Sequence, residues 1–115
     1  MDEQLEQIRD IWTKAFFDGD YEILQRYERD DFKVIYEQED RVESTYVRYD
    51  RIAHAVQNSV WKPRKLDLKS EEYTFNADQT ECQILIQLEH DDQKIQELWV
   101  LEDEWKVVEL RFLKP

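Results

Sequence analysis

Glu97 is the residue of this chain with the clearest chemical potential. It stands in the run Ile95, Glu97, Trp99, Leu101, where alternate positions of a strand share one face, so a carboxyl group is set in an apolar row. If that face is buried, desolvation raises the carboxyl pKa, in the limit until the acid donates a hydrogen bond instead of accepting one. The competing placements are the open rim of the sheet, or an ion pair with Arg111 on the neighbouring strand. His54 follows Asp50 by four positions, a spacing at which a carboxylate can orient an imidazole on one helix face. Ile52 and Val56 mark the buried face of that helix, however, and His54 points away from them. His90-Asp91-Asp92 offers oxygens to a divalent ion, but adjacent turn residues make a poor cage, and a hairpin turn is the simpler reading. Trp61-Lys62-Pro63-Arg64-Lys65 is the one basic cluster.

Other chemistries lack their parts. There is no glycine-rich phosphate loop, no Ser/His/Asp set with supporting context, and no metal-ligand pair of useful spacing. One cysteine and two histidines leave few nucleophile–base combinations, and Cys82 alone can form neither an internal disulfide nor a cysteine metal site. No cofactor is implied.

The elements that must position these residues are legible in the hydrophobic period. Leu5, Ile8, Ile11, Trp12, Ala15 and Phe16 recur at spacings of three and four, which predicts an amphipathic helix over 3–18 with Asp2 as its N-cap. Gly19, the single glycine, falls where a helix end needs positive φ. Asp20 then caps a second helix over about 21–27, burying Ile23, Leu24 and Tyr27, and 32–36 reads as a short strand. Residues 37–44 form a polar loop with room for a brief strand at 41–43. A third helix is predicted from about Tyr49 to Ser59, and Pro63 blocks its continuation.

Beyond Pro63 the period changes to two. Leu66, Leu68, Tyr73 and Phe75 mark one strand, and Cys82, Ile84, Ile86 and Leu88 a second. Ile95–Leu101 and Trp105–Leu113 form a closing hairpin around Glu102-Asp103-Glu104. Both of these last strands are apolar on two faces: Leu98 and Val100 oppose Ile95, Trp99 and Leu101, and Val107 opposes Val108, Leu110 and Phe112. A second apolar face needs cover, from a partner subunit or from the curvature of the sheet itself.

The chain has 115 residues, enough for one domain spanning 1–115 with a real core. Its formal net charge is −12, from 28 acidic and 16 basic side chains, which repels nucleic acid and anionic membrane and favours a basic protein or a cationic ligand as partner. No apolar run resembles a signal peptide or approaches the ~20 residues of a membrane span, so a cytoplasmic location is expected.

The order of these elements, with FFDGD before a helix, RDDFKVIY, the QNSV helix end and the final WVLEDEWKVVELRF hairpin, resembles the nuclear transport factor 2-like superfamily over nearly the whole chain. The resemblance implies an α+β, cystatin-like cone: three helices, and a curved mixed or antiparallel sheet wrapped around the N-terminal helix with a central pocket. It also implies a test, because the superfamily includes ketosteroid isomerases. Their oxyanion-hole tyrosine falls at Trp12, their general-base aspartate at Tyr36, and their second, protonated carboxyl donor at Glu97. An indole is no phenolic acid, and a phenol of pKa ~10 is a poor base, so isomerase chemistry is not expected. The expected function is instead a non-catalytic binding domain, its ligand site lined by Trp12, Phe16, Tyr36, Glu97 and Trp99. The ligand would be small and apolar or cationic, and the protein a homodimer through its sheet face. The alternatives are an acidic immunity protein that neutralises a basic toxin, and a small cyclase or dehydratase using Glu97 with Tyr36 or Tyr46.

Overall fold

A computed structural model of the chain describes residues 3–63, 67–90 and 92–114. Its first helix, α1 (Glu3–Asp18), buries Leu5, Ile8, Trp12 and Ala15 along one stripe. The helix ends in a Schellman motif: Gly19 N donates to Phe16 O at 3.2 Å and Asp20 N to Ala15 O at 2.8 Å. Gly19 has φ +73°, the left-handed region that the motif requires. Asp20 then caps α2 (Tyr21–Tyr27), its side chain accepting from Ile23 N at 3.3 Å. The predicted cap of α1, Asp2, lies outside the described residues.

The strand predicted at 32–36 is longer, β1 (Glu28–Tyr36), and the brief strand in the polar loop is β2 (Arg41–Ser44). The third helix, α3, runs Thr45–Gln57, four residues earlier at its start than predicted. It stops at a second Schellman motif, two residues before the predicted end at Ser59. Ser59 adopts φ +58°, Ser59 N donates to Val56 O and Val60 N to Ala55 O. The remaining strands are β3 (Leu68–Phe75), β4 (Glu81–Leu88), β5 (Lys94–Leu101) and β6 (Trp105–Phe112). Arg64, Lys65 and Leu66 lie outside the described residues, as does Asp91 in the predicted turn.

All six strands form one sheet in the order β2-β1-β6-β5-β4-β3. Every pairing is antiparallel except β1 with β6, which is parallel, so the sheet is mixed. The register sorts the inner face into rows. Glu28, Val107, Trp99, Cys82 and Phe75 make the first, and Glu43, Val34, Leu110, Glu97, Ile84 and Tyr73 the second. Arg41, Tyr36, Phe112, Ile95, Ile86 and Glu71 make the third.

One of these placements overturns the sequence expectation. Strict alternation put Val107 on the face opposite Leu110 and Phe112. A β-bulge inserts Val108 as an extra residue, because Leu98 pairs Glu109 while Trp99 pairs Val107. The extra residue shifts the alternation by one, so Val107, Leu110 and Phe112 all face inward. Trp99, Trp105, Ile84 and Val107 form the fully buried centre, against which α1 lays its apolar stripe.

Candidate functional site

The floor of the cone holds two buried carboxylates, each with one arginine and one indole. Arg9 lies on α1 within the apolar stripe, one residue past Ile8 and three before Trp12. Its Nε and Nη2 donate to the two oxygens of Glu97, at 2.7 and 2.8 Å, a bidentate pair. Trp99 Nε1 donates to Glu97 Oε1 at 2.7 Å. Arg9 Nη1 reaches across to β3, donating to Glu71 Oε2 at 2.5 Å and to the Tyr73 hydroxyl at 3.2 Å. Burial alone would lower the Arg9 pKa, but the bonds and charges of Glu97 and Glu71 outweigh it and hold the guanidinium above its ordinary value.

The second carboxylate is Glu28, whose side chain is fully buried at the start of β1. Its Oε2 accepts from Trp12 Nε1 at 2.8 Å, and its Oε1 from Arg48 Nη1 at 2.8 Å and the Tyr49 hydroxyl at 2.7 Å. Burial, then the Glu28 charge, pushes the Tyr49 pKa far above the usual phenol value. The Trp12 and Trp99 rings meet edge to face with centroids 5.5 Å apart, which brings the two units into contact. Arg48 also stacks on Phe32, its guanidinium carbon 4.8 Å from the ring centroid.

Above this floor lies a pocket of about 280 Å³, lined mainly by apolar side chains. Trp12, Phe16 and Phe17 form its helix wall, and Ile86, Ile95, Leu110 and Phe112 its sheet wall. Arg9, Arg48 and Glu97 supply the polar groups at its base. Of the five residues expected from sequence, Trp12, Phe16 and Glu97 line this pocket together. Trp99 sits beneath it, fully buried against Trp12. Tyr36 is separate: it stacks on Phe112 with ring centroids 5.0 Å apart, lies under the Arg41 guanidinium, and lines a polar hollow with Arg41, Arg111 and Lys114.

Glu97 is buried, but its oxygens accept from Arg9 and Trp99, so the expected donor role meets three N–H groups pointing the wrong way. The Arg111 alternative is likewise not realised. Arg111 pairs Gln96 in the register and bonds Glu37 and Glu109. His54 is exposed, its ring nitrogen bonded to the Asp50 carbonyl at 2.8 Å. Among the described residues no group of three His, Cys, Asp or Glu side chains could hold a metal ion.

Sequence reasoning missed Arg9, Glu28 and Arg48. Arg9 had a signal, since position 9 belongs to the i, i+3, i+4 stripe of Leu5, Ile8 and Trp12 and is its one charge. Arg48 lies one turn before the buried Ile52, but starting the helix at Tyr49 left it outside the element. Glu28, directly after a helix end, gave no local sign of burial.

A curved six-stranded sheet holding a helix across its inner face, with an apolar pocket between them, defines a cone of the cystatin-like class. It is the fold of the nuclear transport factor 2-like proteins. A protein of that type from Cytophaga hutchinsonii superposes with TM-score 0.73 at 14% identity, covering 100% of both chains. One from Rhodospirillum rubrum, described as of unknown function in nutrient uptake, gives TM-score 0.73 at 13% identity over 96% of this chain and 97% of its own. An uncharacterised protein with a cystatin-like fold from Caulobacter vibrioides gives 0.68 at 9% identity, over 98% and 89%. No protein-family model matches the chain, and no curated protein sequence does. At these identities the likeness concerns the fold, and function has to be argued from the site.

Proposed function

We propose that this protein is a non-catalytic binding domain whose cone pocket takes a small apolar ligand, and that it works as a homodimer through the outer face of its sheet. The observation that carries the pocket reading is the contrast between its walls and its floor. Eight aromatic or aliphatic side chains face a space of about 280 Å³, just below the ~300–1,000 Å³ range of ligand sites. The polar groups at the base are few, Arg9, Arg48 and Glu97, as in a site that orients a ligand.

The reading is non-catalytic because each isomerase-like position is committed elsewhere. The Trp12 N–H is bonded to Glu28, and Glu97 accepts three hydrogen bonds. Tyr36 lies outside the pocket lining, and burial, then the Glu43 charge, raises its pKa and weakens it as an acid. The dimer reading rests on the outer face, where Leu85, Leu98 and Val100 are half-buried.

Titration with ethylbenzene, followed by NMR, tests the pocket. Shifts should concentrate on the Trp12 indole N–H and the Ile86 and Ile95 methyls, and 0.5 M salt should leave the affinity unchanged. Shifts scattered over the surface would remove the reading. The second reading, an acidic protein that neutralises a basic partner, is favoured by the net charge of −12. Binding of that kind weakens steeply with added salt.

A further inference from the structure

Resting on the pocket reading above, we propose that the pocket selects an uncharged ligand with an apolar body and one hydrogen-bond acceptor oxygen, a carbonyl held by Arg48. Arg48 is a pocket-lining residue whose side chain is only 5% exposed. Its planar guanidinium carries five N–H bonds. Among the described residues it makes one hydrogen bond, from Nη1 to Glu28 Oε1. One side of the plane lies against Phe32. No fully sealed side-chain nitrogen or oxygen among the described residues lacks a partner. The remaining N–H groups of Arg48 are therefore not sealed in packed protein, and the opening that Arg48 lines is the pocket. A nearly buried donor edge of this kind is completed by an acceptor, and leaving it uncompleted costs free energy.

Charge decides which acceptor fits. Two guanidinium groups, Arg9 and Arg48, face three carboxylates, Glu28, Glu71 and Glu97, around the pocket base. A ligand carboxylate would add a fourth negative group where no cation is uncommitted, and would have to be desolvated to do so. A ligand ammonium would approach Arg9 and Arg48, and Glu97 already accepts three hydrogen bonds. A neutral carbonyl asks only for an N–H and leaves the charge balance untouched. Its apolar body then meets Phe16, Ile95 and Leu110.

Four compounds of similar size separate the cases: acetophenone, ethylbenzene, phenylacetate and phenethylamine, each titrated into the whole protein by NMR at 0.5 M salt. Acetophenone should bind about tenfold more tightly than each of the others, the scale of a hydrogen bond to a charged group. Arg48→Lys keeps a charge for Glu28 but not the second planar edge, so it should abolish the preference for acetophenone over ethylbenzene. Equal affinity for acetophenone and ethylbenzene in the native protein would overturn the carbonyl proposal while leaving the pocket reading intact. Tightest binding of phenylacetate or phenethylamine would overturn it as well, and so would a preference that survives Arg48→Lys. Binding of none of the four would overturn both readings.

Discussion

Glu28 and Glu97 occupy the same kind of surroundings, but their neighbours differ in one respect that stability measurements can read. Arg9 bonds Glu97 and also Glu71, whereas Arg48 has Glu28 alone among the described carboxylates. Replacing Glu28 with Gln leaves a nearly buried guanidinium without its counter-charge, which costs roughly 3–5 kcal/mol. Glu97→Gln should cost less, because Arg9 keeps Glu71. Urea denaturation of the two variants orders them, and a larger loss for Glu97→Gln would contradict this account of the network. Removing both members, in Glu28→Gln with Arg48→Met, should cost less than the sum of the single changes. The residue scale is also where the sequence said least. Glu97 could be singled out because a strand period of two exposes a charge in an apolar row. Glu28 could not, since its burial depends on α1 and α3 closing over it and on partners 16 to 21 positions away.

Elements were far more legible. The three helices and the four strands after Pro63 announce themselves through period, caps and turns, all local properties of the chain. What escaped was whatever depends on a neighbour. The parallel pairing of β1 with β6 brings together distant parts of the sequence, and the Val108 bulge is visible only against the register of β5. Gly19 shows local and distant demands meeting at one position. Its positive φ ends α1, and a Cβ there would lie 2.5 Å from Val56 Cγ2 and 2.8 Å from Trp61 Cδ1. Trp61 has little room to yield, since its indole bonds Phe16 O at 2.8 Å and packs edge to face on the Phe16 ring. Gly19→Ala should therefore destabilise by about 3 kcal/mol, combining left-handed strain with overpacking. Adding Val56→Ala should recover part of that loss in thermal melts, and no recovery would show that the clash with α3 is unimportant.

At the scale of the molecule, the sheet has an inner face filled by α1 and the pocket, and an outer face where Leu85, Leu98 and Val100 remain half-buried. A homodimer would cover those side chains. Native mass spectrometry should then find a dimer, and Leu98→Lys should return monomer without loss of secondary structure by circular dichroism. A native protein that is monomeric at tens of micromolar would rule out that use of the face. No helix among the described residues is long and apolar enough to cross a membrane.

The edge-to-face contact of Trp12 and Trp99 has an optical consequence. Two indoles with centroids 5.5 Å apart and planes at 87° are close enough for their excited states to couple, and each N–H is pinned to a carboxylate, which fixes their mutual orientation. Such a pair is a chiral chromophore, so the far-ultraviolet dichroism of this protein should carry an indole couplet from the floor of the cone. Because Trp12 also faces the pocket, that couplet would change amplitude when the pocket fills, and the protein would carry its own label-free reporter of occupancy.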